Sequence, residues 1–287
     1  MRIPSLRTLL IPTLAVVLLG CSDASPPAEA PPAPLAARCG GEGDAAARLF
    51  GRPNANTGLD DARCGDACAC DGGAWRSPEY TQAQLDALTA RTLLDPPAEL
   101  RDDPYARTPQ PAPQPDKVCA VVPVPEGAGG YRLDTFNSAE AAHQAGARVT
   151  HSGACGLCSS LQDLSVYIAR GDLTDPVRRC GISGITHGHE GTVRCIQELG
   201  FTLPCAQIWA YNTTHTREAC GSVCFALLGE PYHSADGAPN ACIQCDEDQS
   251  GPVFKAVAGR TRRNSGLPTA LCRPCQDVFR VTHEAYP

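Results

Sequence analysis

The number of cysteines constrains the fold of this chain more than any other feature. There are 17 of them among 287 residues. Cys21 stands alone near the N-terminus, four more lie between residues 39 and 70, and twelve lie between residues 119 and 275. In an oxidising compartment, two even groups favour disulfides that form within each group, whereas in the cytosol the same cysteines would suggest zinc sites. The interpretation therefore depends on where the chain matures.

The first 21 residues indicate that compartment. Arg2 and Arg7 precede an apolar stretch, residues 9–19, and the small residue Gly20 lies just before Cys21. The apolar stretch is 11 residues long, well short of the roughly 20 that a membrane-spanning helix needs. A basic start, a short apolar stretch and a small residue are typical of a cleaved signal peptide. We therefore predict that residues 1–20 are a signal peptide and that the chain is exported.

The motif Leu18-Leu19-Gly20-Cys21 resembles the lipobox of bacterial lipoproteins. The resemblance implies that Cys21 becomes the mature N-terminus and carries thioether-linked acyl chains, palmitate among them, and several such chains hold a protein firmly in a bilayer. Ser22 resembles the residue found at this position in lipoproteins that are sorted to the outer membrane. The resemblance thus implies a lipid-anchored protein of the cell envelope, in the outer membrane and facing either the periplasm or the exterior. An ordinary secreted protein that is cleaved elsewhere is the alternative.

Proline and alanine divide the mature chain into segments. Residues 21–37 are an Ala/Pro-rich tether, and residues 95–116 are a second Pro-rich stretch, which we interpret as a linker. A small cysteine-containing segment, residues 38–94, lies between them, and a larger body, residues 117–287, follows. Without residues 1–20 the chain has 22 basic and 31 acidic side chains. This acidic balance disfavours nucleic acid as a partner.

The predicted fold is mainly α-helical and disulfide-rich, with short or irregular β elements and long loops. Thr81 with Gln84, and Ser159 with Gln162, have the spacing of capping boxes and predict two helix starts. Pro274 is suited to the first turn of a last helix, because proline needs no hydrogen-bond partner for its nitrogen there. The body should therefore be a set of helices that disulfides connect.

One of these helices makes a specific prediction about cysteine pairing. In residues 218–228, Cys220 and Cys224 fall on one apolar stripe with Leu227 and Leu228. A disulfide that bridges a single helical turn would strain the geometry of the bond. We therefore predict that each of the two cysteines pairs with a cysteine on another element.

Three groups of residues could carry chemistry, and the first is Cys155-Gly-Leu-Cys158. It lies between a predicted short strand and a predicted helix, where the helix dipole lowers the pKa of a thiol. This order resembles the active-site turn of thioredoxin-like oxidoreductases, and the resemblance implies that Cys155 attacks and Cys158 resolves. Ala154 departs from the family pattern, which has an aromatic residue before the first cysteine. The alternative is that both cysteines form structural disulfides.

The second group is His187, His189 and Glu190, which lie among glycines between residues 181 and 191. Two imidazoles and a carboxylate are suitable ligands for zinc or copper, and glycines would let a loop fold around the ion. The alternative is a solvated surface loop with no metal.

The third group is the one dense basic cluster of an acidic protein. Lys255, Arg260, Arg262 and Arg263 lie in a Gly-containing stretch behind the acidic triplet 246–248. Guanidinium groups bind phosphate, sulfate and carboxylate through paired hydrogen bonds. Two alternatives remain open: the arginines could pair with the acidic triplet, or they could donate to main-chain carbonyls within a long loop.

These groups give three functional hypotheses. The favoured one is a membrane-anchored protein that binds a small anion or another component of the envelope through the arginine loop. A thiol-disulfide oxidoreductase and a zinc- or copper-binding protein are the alternatives. Whether the protein is an enzyme stays open, although the sequence favours a binding role, and it identifies no cofactor.

Overall fold

A computed structural model describes residues 48–70, 73–125 and 130–286. The predicted signal peptide, the lipidation site at Cys21 and the tether lie outside these ranges. The described residues contain seven α-helices and nine short strands. None of these helices combines the length and the apolar character that crossing a membrane requires.

The strands form three small sheets. β1, β2 and β9 make the first sheet, β3 and β4 the second, and β5, β6, β7 and β8 the third, in the spatial order β5-β7-β6-β8. Their bounds are Leu49–Phe50 (β1), Cys64–Gly65 (β2), Ala67–Cys70 (β3), Gly73–Arg76 (β4), Thr92–Leu93 (β5), Val118–Val122 (β6), Gly130–Phe136 (β7), Arg148–Ser152 (β8) and Arg273–Pro274 (β9). β6 is antiparallel to both of its neighbours.

The helices surround one main core. Their bounds are Gln82–Thr89 (α1), Ala139–Gln144 (α2), Leu161–Ala169 (α3), Thr174–Glu198 (α4), Leu203–Ala226 (α5), Ala241–Gln249 (α6) and Gly251–Ala258 (α7). Leu164 of α3, Ile196 of α4 and Ile208 of α5 are fully buried in that core. α5 contacts α4, α6 and α7, so it is the central helix of the body.

Capping motifs predicted helix starts to within one residue. Thr81 caps α1, and its capping box with Gln84 is complete in the structure. α3 is capped by Ser160, whose hydroxyl accepts a hydrogen bond from the main-chain nitrogen of Asp163. The predicted cap, Ser159, is one residue too early, because its hydroxyl contacts His151 Nε2 at 2.7 Å instead.

α4 reverses direction at Gly188. The φ angle of Gly188 is 68°, in the region that favours glycine. Cys180 and Cys195 belong to this one helix, yet their Cα atoms are 5.5 Å apart, whereas 15 residues of straight helix would span about 22 Å. The two halves of α4 are therefore an antiparallel pair, held together by the Cys180–Cys195 disulfide.

The disulfides of α5 confirm the pairing prediction. Cys220 bonds to Cys245 and Cys224 bonds to Cys242, and both partners belong to α6. Cys242 and Cys245, three residues apart, both lie inside α6. Two disulfides thus connect the C-terminal half of α5 to one short helix.

Two other disulfides cross the Pro-rich stretch. Cys64 bonds to Cys272 and Cys68 bonds to Cys275, with sequence separations of 208 and 207 residues. β1 also pairs with β2 and with the C-terminal β9 in one sheet. The expectation that cysteines pair within each segment is therefore wrong for Cys64 and Cys68, because these two bond to the far end of the chain.

The predicted last helix is also wrong. Pro274 belongs to β9, which pairs with β1, and only a 3₁₀ turn, Cys275–Asp277, follows it. The prediction of a disulfide-rich fold is confirmed, with seven disulfides among the described residues. Helices hold more of the described residues than strands do, but a four-stranded sheet packs among them. The predicted fold class is thus confirmed in part.

Candidate functional site

A cleft of about 290 Å3 opens between the helices of the body. α5 forms its floor, since α4, α6 and α7 all pack against that helix. Residues from these four helices, Tyr167 of α3, Leu173 and residues of the segment 261–273 line the space, which we call the helical cleft. The Cys224–Cys242 disulfide is itself part of the lining and fixes α6 against the floor.

The rim of the helical cleft is apolar and open to solvent. Four lining side chains are exposed to an unusual extent for their size: Ile182 (45%), Ile185 (58%), Phe225 (54%) and Leu228 (47%). In the described ranges these four are all of the exposed large apolar side chains. Since exposed apolar surface that gathers in one place marks a site of interaction, the rim is the clearest candidate for a binding surface.

Gly221 keeps the floor of the cleft clear. It lies within α5, where glycine costs about 0.5–1 kcal/mol of stability relative to alanine. A Cβ atom at this position would meet only Phe225 Cε2, at 3.9 Å, outside the helix's own backbone. By contrast, a Cβ at Gly184 would overlap the side chain of Thr192. Packing therefore explains Gly184 but not Gly221, whose missing side chain leaves room in the cleft.

A buried polar network lies at the base of the cleft. Asp246 of α6 accepts hydrogen bonds from the hydroxyl of Thr216 and from Asn212 Nδ2, the latter at 3.3 Å. The Tyr105 hydroxyl donates to Asn212 Oδ1 at 2.8 Å. Burial raises the pKa of Asp246 above its usual range. The network connects α5 to α6 and gives the apolar cleft a polar floor.

Three cationic side chains share one carboxylate beside this network. Glu247 accepts hydrogen bonds from Lys255 Nζ at 2.9 Å, from Arg273 Nη2 at 2.6 Å and from Arg263. Burial alone would raise the pKa of Glu247, but Arg273, Arg263 and Lys255 outweigh it and lower the pKa to about 2. Glu247 is thus ionised at neutral pH, and all four side chains line the cleft.

The structure separates Arg260 from the rest of the predicted anion loop. Arg260 is fully buried and lies outside the cleft lining. It donates to the main-chain oxygens of Thr150, Cys158 and Ser159, each at 3.1 Å. The hypothesis that this arginine binds a ligand is therefore wrong, because carbonyl groups of the protein use its donors.

Arg262 and Arg263 line the cleft, as Lys255 does, but they too have partners in the protein. Arg262 Nη1 donates to the carbonyl of Tyr167 at 2.7 Å, and its other terminal nitrogen donates to the carbonyl of Arg170. These acceptors belong to the C-terminal end of α3, where carbonyls lack helical partners. Both alternatives for the loop are therefore found: Arg260 and Arg262 bond to carbonyls, and Arg263 pairs with Glu247.

Cys155 and Cys158 do not bond to each other. Cys155 bonds to Cys119, and Cys158 bonds to Cys205. An oxidoreductase of the C-x-x-C type alternates between a dithiol and a disulfide within the motif, and this connectivity gives each sulfur a different partner. The predicted attacking and resolving pair is thus contradicted by the structure, in which both cysteines are structural.

The structure also fails to bring the predicted metal ligands together. His187, His189 and Glu190 lie at the bend of α4 rather than in a loop, and the ring of His189 packs on Tyr211 with centroids 4.2 Å apart. No cluster of three or more His, Cys, Asp or Glu side chains suited to a metal ion occurs in the described ranges. Gly191 serves helix packing, since a Cβ there would lie 2.4 Å from His187 Cβ, and Gly188 forms the bend.

Several ionisable groups are buried around Arg260 instead of around a ligand. Burial lowers the pKa of His283 to about 3 and lowers that of His151 well below its usual value. Burial also raises the pKa of Asp163 to about 6, against hydrogen bonds from neighbouring groups. His151 contacts Ser159, but neither side chain is exposed. We interpret this cluster as structural, because a substrate has no access to it.

Sequence patterns did not identify the cleft. Ile182 and Ile185 lie three residues apart in the Gly-rich stretch that was interpreted as a loop. Leu228 was placed on the apolar stripe of a helix, but it lies two residues beyond the end of α5 and its exposed side chain lines the cleft. Two features of the sequence could have indicated the cleft: the helical spacing of Ile182 and Ile185, and a glycine at position 221 within a predicted helix.

Comparison with known proteins adds one match. Residues 189–281, about a third of the chain, match a family of unknown function (DUF8771). The matched range includes α5, α6 and α7, and thus most of the cleft floor. No curated protein and no solved structure matches the chain.

Proposed function

We propose that the protein is an exported lipoprotein of the cell envelope, anchored through Cys21, whose body binds a small molecule with an apolar part in the helical cleft. The export signal and the lipobox resemblance support the location. The seven disulfides of the described residues support it further, because such bonds persist in oxidising compartments and are rare in the cytosol.

The observation that carries the binding proposal is an apolar cleft that is open and already formed. Its four exposed rim residues would lose contact with water when a ligand covers them, which contributes about 25 cal/mol per Å2 of apolar surface. The disulfides that connect α5 to α6 hold the floor in place. A ligand therefore binds with little cost in ordering the protein.

A neutral apolar fluorophore tests the binding proposal. N-phenyl-1-naphthylamine, whose emission rises in apolar surroundings, should bind the purified protein in a saturable way. Gly221→Leu should abolish this binding, because the new side chain extends into the cleft from a position with free space around it. The helix should tolerate the change, since leucine is a better helix former than glycine.

Gly171→Leu is the matched control. A Cβ at Gly171 meets nothing within 4 Å, and the residue is not part of the cleft lining. Both variants should keep the thermal unfolding midpoint of the native protein or exceed it, and only Gly221→Leu should lose the probe. Equal probe binding by the two variants, or no saturable binding by the native protein, would overturn the proposal.

Mass spectrometry tests the anchor separately. Protein extracted from membranes should begin at Cys21 and should carry the added mass of acyl chains, and Cys21→Ser should remain unprocessed. A protein that keeps residues 1–20 without acyl groups would refute the lipoprotein assignment and leave the cleft proposal untouched.

A further inference from the structure

The charges that line the helical cleft are unbalanced. Six lining side chains are cationic: Arg178, Arg217, Lys255, Arg262, Arg263 and Arg273. Two lining side chains are acidic, Asp246 and Glu247. The whole chain has the opposite balance, with 31 acidic and 24 basic residues. The cationic excess is thus a local property of the cleft.

The two acidic side chains leave much of this positive charge uncompensated. Asp246 takes its hydrogen bonds from the neutral side chains of Thr216 and Asn212. Glu247 is shared by Lys255, Arg263 and Arg273. One carboxylate therefore faces three cations.

Neighbouring carboxylates reduce the excess without removing it. Asp175 pairs with Arg178 at 3.2 Å, Asp277 lies 3.9 Å from Arg263, and Asp172 interacts electrostatically with Arg262. Arg217 donates to the main-chain oxygen of Gly181, and Arg262 likewise donates to carbonyls. A carbonyl satisfies a donor without cancelling its charge, so the guanidinium group of Arg217 keeps its charge, and that of Arg262 is offset, among the described residues, only by Asp172.

The cations have donor capacity left for a ligand. A guanidinium group has five N–H donors. In the described part of the chain, Arg273 gives one hydrogen bond to a side chain, to Glu247, although its own side chain is only 9% exposed. An anion beside Glu247 would gain hydrogen bonds from Arg273 and Arg263 and an ion pair with Lys255.

We propose that the cleft binds an amphipathic anion, with a hydrocarbon chain against the apolar rim and a carboxylate head at Lys255, Arg263 and Arg273. This inference rests on the proposed function and names the ligand class. The apolar rim of Ile182, Ile185 and Phe225 and the cationic group line the same cleft, which matches a ligand with one apolar part and one charged part. A fatty acid has this chemistry, whether it is taken up free or released from a lipid by hydrolysis.

Three probes with one chain and different heads test the ligand class. Laurate, dodecanol and dodecyltrimethylammonium should each be titrated below their micelle concentrations against bound N-phenyl-1-naphthylamine. Laurate should displace the fluorophore at about a tenfold lower concentration than dodecanol, as expected for one charge-assisted hydrogen bond, and the cationic probe should be the weakest. If laurate and dodecanol displace the fluorophore at equal concentrations, the preference for an anionic head group is refuted and the proposed function is unaffected. If none of the three displaces the fluorophore, the proposed ligand class is refuted, whereas saturable binding of the fluorophore itself and its loss in Gly221→Leu still decide the proposed function.

The two lysines of the chain provide matched variants. Lys255→Gln should lower the affinity for laurate about tenfold and leave the affinity for dodecanol unchanged, because only a charged head group interacts with the side chain at position 255. Lys117→Gln should change the binding of neither probe, since Lys117 contacts Asp116 and Asn137 and is not part of the cleft lining. If Lys255→Gln lowers the affinity for laurate and for dodecanol equally, the substitution has damaged the cleft, and this result would contradict the head-group assignment.

Acetylation of the native protein checks the same point without a substitution. Laurate should slow the acetylation of Lys255 by acetic anhydride, and dodecanol should not, while Lys117 reports the intrinsic reagent activity in every sample. An unchanged ratio of Lys255 to Lys117 modification at saturating laurate would overturn the proposal.

Discussion

Arg260 shows how one residue can be structural where its sequence context suggests a ligand site. Its guanidinium group bonds to three main-chain carbonyls and to Ser265 Oγ in a region without solvent. Those carbonyls lie on β8 and just before α3, so a single side chain fastens the sheet to the helix. Sequence alone left this role open beside anion binding, because the acceptors come from residues about 100 positions away.

We expect Arg260→Met to lower the free energy of unfolding by at least about 3 kcal/mol, because several buried carbonyls would lose their donor. Arg132→Met is the control: Arg132 pairs with Asp95 at 3.1 Å on the surface, where an ion pair contributes up to about 1 kcal/mol. Urea unfolding measures both. Similar losses in the two variants would show that the Arg260 network contributes nothing specific.

The buried histidines predict how stability depends on pH. His283 has a folded pKa of about 3, and the pKa of His151 is also lowered, so both bind protons mainly in the unfolded chain. The neutral histidines stabilise the folded state fully above the pKa of histidine in the unfolded chain, about 6.5, and this stabilisation is lost as the pH falls below it. Asp163 opposes them, since its raised pKa of about 6 favours the folded state as the pH falls from 6 toward 4.

Because each of the two histidines gains a proton on unfolding and Asp163 loses one, we expect the free energy of unfolding to fall as the pH drops from 6 to 4. Urea unfolding at intervals from pH 7 to 4 would measure this slope. His283→Gln should flatten it, because glutamine does not titrate. A stability that rises on acidification, or a slope that His283→Gln leaves unchanged, would be inconsistent with a buried neutral histidine.

At the scale of elements, α5 and α6 are joined by nested disulfides. The Cys224–Cys242 loop lies inside the Cys220–Cys245 loop, with separations of 18 and 25 residues. When one bond is present, the other closes only a small additional ring. The entropy that each bond removes from the unfolded chain therefore depends on whether the other is intact.

Replacing one of the two cysteine pairs by serine should lower the free energy of unfolding by less than the loss of an isolated disulfide would. Replacing both pairs should lower the free energy of unfolding by about 1 kcal/mol more than the sum of the two single replacements, by the loop-entropy relation. Urea unfolding of the two double-serine variants and the quadruple variant completes the cycle. Strict additivity would mean that the two bonds constrain independent parts of the unfolded chain.

Elements were predictable from sequence where the signal was local. The capping box of Thr81 and the stripe that holds Cys220 and Cys224 need only neighbours within a few turns, and the structure confirms both. Pro274 was misassigned because proline suits a helix start and an edge strand equally, and the choice depends on β1, more than 200 residues away. The glycines near Gly188 were misassigned for a similar reason, since close helix packing and a loop both require them.

At the scale of the molecule, the bonds Cys64–Cys272 and Cys68–Cys275 attach the front segment to the C-terminal end. No local pattern could have predicted them, because an even number of cysteines is compatible with pairing inside or between segments. The cleft escaped prediction for a related reason. Its rim comes from α4 and α5, and only tertiary packing brings Ile185 and Phe225 to one opening.

A protease site inserted between Ala112 and Pro113 would test these long-range bonds. Both residues are exposed and lie in the Pro-rich stretch. After cleavage, the two fragments should run as one band on a denaturing gel without reductant and should separate when reductant is added. Separation without reductant would show that cysteines pair only within each segment.

Methyl NMR would show whether the helical cleft is where a ligand binds. With labelled isoleucine methyl groups, titration with laurate should shift the signals of Ile182, Ile185 and Ile243, which line the cleft. The signals of Ile196 and Ile208, buried in the core, should stay in place. Shifts confined to Ile196 and Ile208, or no shift at all at saturating laurate, would contradict the account.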